Sequence, residues 1–85
     1  MSQRGINFGK AEGILLAQLG IASGEMDRFE ELGGAEDRQY VEAQRRHAQI
    51  HMRIQRLSSA SDAELQAIID IVGPEVHAFA RSNNG

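Results

Sequence analysis

The chain of 85 residues has no cysteine, no tryptophan and a single proline. Without cysteine there is no disulfide to restrain the unfolded state and no thiolate to hold a metal. No apolar run approaches the ~18 residues of a membrane span, and Met1 to Lys10 lack the apolar stretch of a signal peptide, so a cytoplasmic protein is expected. Lysine is nearly missing as well, because eight of the nine basic residues are arginine. Catalytic patterns are absent too. There is no glycine-rich phosphate loop between a strand and a helix, no serine in a nucleophile elbow and no recognisable carboxylate pair. An enzyme is therefore not expected, and no cofactor is implied.

What is present is enough for one small domain spanning 1–85, with flexible ends expected at 1–9 and 82–85. Of the 35 hydrophobic residues, 11 are alanine, which leaves 17 Ile, Leu and Val, three Phe, three Met and Tyr40 to build a core. At about 25 cal/mol per Å² buried, such a set roughly cancels the ~1.5 kcal/mol per residue of ordering entropy. Additional burial, from a second copy or another partner, is expected.

The apolar spacing is helical throughout, with no period-two alternation, so the fold class is all-α. Ala11, Ile14, Leu15 and Leu19 predict a first helix over about 10–19, and Gly20 separates it from a short second helix capped by Ser23 and stopped by Gly33 and Gly34. The strongest pattern is Tyr40, Ala43, His47, Ile50, Ile54 and Leu57, a heptad seam at spacings of three and four. It predicts a long helix 3 over about 36–57, with the seam serving as core or oligomer contact. A fourth helix, about 62–81, opens on Ser61-Asp62-Ala63-Glu64, a capping box, and is interrupted by Gly73-Pro74. A small bundle follows, in which helices 3 and 4 form an antiparallel pair.

The net charge of −3 averages two unlike stretches: residues 24–37 carry −5, whereas 38–57 carry +4. Arg38, Arg45, Arg46 and Arg53 take outer heptad positions and form a strip suited to an acidic protein surface, a nucleic acid or a phosphorylated small ligand. Arg56 falls on another flank. His47 and His51 stand four apart and His77 could join them, but the glutamate of a metalloprotease helix is replaced by Ala48, so no metal site is expected. His47, on the seam, reads as a core or interface histidine.

The run from Leu15 to Glu30 contains Leu19-Gly20-Ile21, an apolar Met26 and the ending Arg28-Phe29-Glu30. It resembles the helix-turn-helix of Cro and C1-type phage repressors, and the resemblance implies that the helix 22–30 would enter the DNA major groove. It departs from that family at Leu16, where a small residue is usual, at Gly24, and at Glu25 and Asp27, which face phosphates with negative charge. Three functions stay open at this level. The first is a non-enzymatic interaction protein, an adaptor, inhibitor or regulator of the kind that phages and mobile elements encode, acting as a homo-oligomer on a protein partner. The second is a DNA-binding regulator using residues 15–30 or the arginine strip. The third is an oligomeric binder of an anionic small molecule such as a nucleotide.

Overall fold

A computed structural model describes residues 2–34 and 36–84, with side chains as far as residue 82. Met1 and Gly85, parts of the expected flexible ends, lie outside the described residues. Among those described there is helix and no strand, as the sequence predicts. Helix α1 covers Gln3–Gly33, α2 covers Arg38–Arg56, and a 3₁₀ turn at Leu57–Ser59 leads into α3, Asp62–Ala67. A π-helical segment, Ile68–Val72, then joins α3 to α4, Gly73–Asn84. Here the chain meets Pro74, which can neither donate to the carbonyl four residues back nor fit its ring against it, and the widened turn accommodates both defects.

The largest correction concerns α1. The two helices expected over 10–19 and 23–32 are one, and residues 3–9 belong to it rather than to a flexible end. Ser2 provides the N-cap, its Oγ accepting from Gly5 N–H at 3.1 Å, so Ser23 caps nothing. The physical reason is a continuous inward seam at Phe8, Ala11, Leu15, Gln18, Ala22, Glu25 and Phe29, each buried or half-buried. Packing along the whole of that face outweighs the roughly 1 kcal/mol that each glycine costs in a helix interior. Gly34 does end the helix as expected. It takes φ 81°, a left-handed conformation that glycine adopts without strain, and its N–H donates to Glu30 O at 2.9 Å. Asp37 then caps α2 by accepting from Gln39 N–H at 2.8 Å.

All six seam residues, Tyr40, Ala43, His47, Ile50 and Ile54 of α2 and Leu57 of the turn that follows it, are buried or half-buried within the single chain. The short Gly34–Asp37 connection folds α2 back antiparallel on α1, which is its principal packing partner. The α3–α4 rod also makes its main packing with α1. The direct pairing expected between 36–57 and 62–81 is thus not the one that builds the core. Ala11, Leu15, Leu57, Ala60 and Leu65 form the buried cluster, with Phe8, Ile54, Ile68 and Ile69 against it. Arg4 fastens the start of α1 to that end by donating to Asp62 Oδ1 at 2.6 Å and to Ala60 O at 2.7 Å. Of the capping box, Ser61 Oγ accepts from Glu64 N–H at 3.1 Å, while the Glu64 carboxylate takes the Ser61 hydroxyl at 3.3 Å rather than the Ser61 backbone donor.

Because α2 and the α3–α4 rod lean on α1 instead of closing on each other, the molecule is an open slab of 46 × 31 × 16 Å. Its radius of gyration is 14.4 Å, against about 12 Å for a compact chain of this length. Its surface is 5967 Å², some 1,000 Å² above the roughly 5,000 Å² of a compact monomer of this mass.

Candidate functional site

The open side of the slab is a groove between the C-terminal half of α2 and the α3–α4 rod, about 550 Å³ in volume. Residues Gln49, Met52, Arg53 and Arg56 recur at helical spacing and line the α2 wall, one face away from the seam that α1 covers. Glu64, Ala67, Ile68 and Ile71 do the same on the opposite wall, and Leu57 and Ala60 form the floor at the closed end. Two of the large side chains here face water: Met52 is 47% exposed and Ile71 is 63% exposed. Arg53 and Arg56 are exposed on the rim, and neither has a carboxylate partner among the described residues. The acid on the rim, Glu64, is engaged with the Ser61 hydroxyl at 3.3 Å. The site is thus apolar inside and arginine-bearing at its edge.

The arginine strip does not hold together as one surface. Arg46 meets Glu25 of α1 at 2.9 Å, and Arg38 lies 3.5 Å from Glu42 on its own helix. Arg45 is exposed on the outer side, and Arg53 alone of the four reaches the groove. Arg56, which the heptad reading sets apart, stands beside Arg53 on the rim. Sequence reasoning missed Met52, Arg56 and Ile71. The available signal was the second helical face Gln49, Met52, Arg53 and Arg56, overshadowed by the stronger seam.

The segment 15–30 has no turn at Leu19-Gly20-Ile21, since all of it lies inside α1 with Leu15 and Ala22 buried and Leu16 exposed. A helix-turn-helix needs two helices crossing at that turn, so the repressor-like reading of these residues is overturned. Arg28 lies over the ring of Phe29, 5.4 Å from its centroid. A second cleft, lined by Ala17, Gly20, Ile21, Gly24, Glu25, Arg28 and Phe79, opens between α1 and α4. Gln18 lies on the α1 seam, its Oε1 enclosed and without a donor among the described residues.

The histidines do not converge. His47 is half-buried, His51 and His77 are exposed, and among the described residues no three His, Cys, Asp or Glu side chains come together as a metal site would require. Nor is any helix of the described residues long and apolar enough to cross a membrane. Comparison with known protein families, with curated proteins and with solved structures finds no match to this chain.

Proposed function

We propose that the chain is a small non-enzymatic interaction protein, working as a homo-oligomer, whose groove between α2 and the α3–α4 rod takes an amphipathic helix with acidic flanks. The observation that carries this reading is the groove itself, an apolar trough in which Met52 and Ile71 face water between the exposed guanidinium groups of Arg53 and Arg56. A helix laid into such a trough buries its apolar stripe against Met52, Ala67, Ile68 and Ile71, while its carboxylates meet the two arginines. The surplus surface of about 1,000 Å² per chain is close to the ~800 Å² that one partner contributes to a standard interface. Readings that require the whole arginine strip to grip a nucleic acid or a nucleotide have less support, because Arg46 is engaged with Glu25 of α1 and Arg53 alone of the four lines the groove.

Fluorescence anisotropy of a labelled amphipathic helical peptide with glutamate flanks tests the reading. Binding is expected for the intact chain and a loss of at least about tenfold in Ile71→Lys, since a cation in the apolar trough removes a central anchor. Equal affinity of the two proteins would remove the groove from the function.

A further inference from the structure

One wall of the groove is itself a ridge of the chemistry that the groove takes. Along the α3–α4 rod, Glu64, Ala67 and Ile71 succeed one another at spacings of three and four, and all three line the groove. Glu75, four residues further on, also turns toward α2, since it lines the adjoining cleft with Arg46 and Ile50. All four are exposed, and neither glutamate has a basic partner among the described residues. The ridge thus carries an apolar centre with a carboxylate toward each end, on the flank of the rod that faces α2.

A chain cannot fill its groove with its own rod, because the rod is the wall. Ridge and groove do share one surface patch, positive along α2 at Arg53 and Arg56 and negative along the rod. Such a patch is complementary to itself after a two-fold rotation, which sets each rod against the α2 of the other copy. The surplus surface of about 1,000 Å² per chain covers the ~800 Å² that each side of a stable pair contributes. We infer that a second copy of this chain occupies the groove, with the two rods antiparallel about a two-fold axis near Ile71. Each Ile71 then packs against its counterpart and against Met52 of the other copy. Turning the rod end for end about Ile71 carries Glu75 one turn toward the closed end of the groove, where it meets Arg53 and Arg56 of the other copy. The inference rests on the groove being a docking surface, and it deepens that reading by naming the occupant.

The chain has no cysteine, so Ile71→Cys supplies the pair with two thiols and sets them beside the axis. Mild oxidation is expected to link its chains in pairs at least about tenfold faster than those of Gly13→Cys, on the outer face of α1. Charge reversal tests the polar contacts in two further variants of the full chain, Arg53→Glu/Arg56→Glu and Glu75→Arg. All three positions are exposed, and circular dichroism is expected to show unchanged helicity. Each variant alone sets like charge against like at both symmetric contacts, so its self-association is expected to weaken by at least about a hundredfold. An equimolar mixture makes both contacts opposite in sign again. Light scattering over a dilution series is expected to give the mass of two chains for the intact protein, one chain for either variant, and two chains for the mixture. A single-chain mass for the intact protein at every concentration, a pair that persists in both variants, or equal linking of the two cysteine variants would overturn the inference. If the single-chain protein still binds the acid-flanked peptide, self-association is refuted and the docking groove stands.

Discussion

Nη2 of Arg46 lies 2.9 Å from Oε2 of Glu25, joining the middle of α2 to α1 across their interface. The Glu25 side chain is largely covered there, whereas in the pair between Arg38 and Glu42 both partners stand in solvent. The two pairs therefore differ in kind, although the sequence places both arginines on one strip. A double-mutant cycle by thermal denaturation is expected to give a coupling of about 0.5 kcal/mol for Arg46 with Glu25 and nothing measurable for Arg38 with Glu42. A larger value for the second pair would show that the strip is not simply solvated.

Glycines of the helices divide by what surrounds them. A Cβ on Gly13 would meet nothing within 4 Å, but one on Gly73 would sit 3.2 Å from Ile14 Cδ1, where α1 crosses the rod. Gly13→Ala is expected to stabilise by about 1 kcal/mol through helix propensity alone. In Gly73→Ala overpacking offsets the same gain, so it is expected to be at least about 1 kcal/mol less stable than Gly13→Ala. Denaturant midpoints of the two variants check the difference, and equal midpoints would mean that α1 does not press on the rod.

The seam of α2 belongs to the core of one chain. Ile54→Asp sets a carboxylate against the buried cluster of Leu57, Leu65 and Leu15, which costs several kcal/mol, comparable with the whole stability of so small a domain. Loss of far-ultraviolet helicity is expected at every protein concentration. A variant that stayed folded but changed only its oligomeric mass would instead place the seam between copies.

These outcomes also bear on what could be read beforehand. The seam Tyr40 to Leu57 was legible because five apolar or small residues and His47 keep one spacing without interruption, but periodicity marks a buried face and does not name what buries it. The partner proved to be α1. Its own seam obeys the same spacing through Phe8, Ala11, Leu15, Gln18, Ala22, Glu25 and Phe29, yet Gln18 and Glu25 break the apolar pattern and the glycines on the opposite face read as stops. Local propensity at Gly20 and Gly24 gave way to packing along 31 residues, and with it went the turn on which the repressor resemblance depended. The caps at Ser61 and Gly34 were legible because they depend on neighbours in sequence. The groove was not, because it arises from how two rods lean on a third.

Backbone amide resonances followed by NMR during titration with an acid-flanked amphipathic helix test most directly the proposal that the groove is a docking site. The largest shifts are expected at Met52, Arg53, Arg56, Ala67 and Ile71, on the two facing walls, with the outer face of α1 around Gly9 and Gly13 unmoved. Shifts confined to that outer face or to the cleft at Gly20 and Phe79, or no shifts at all, would contradict the proposal that this protein meets a partner at the groove.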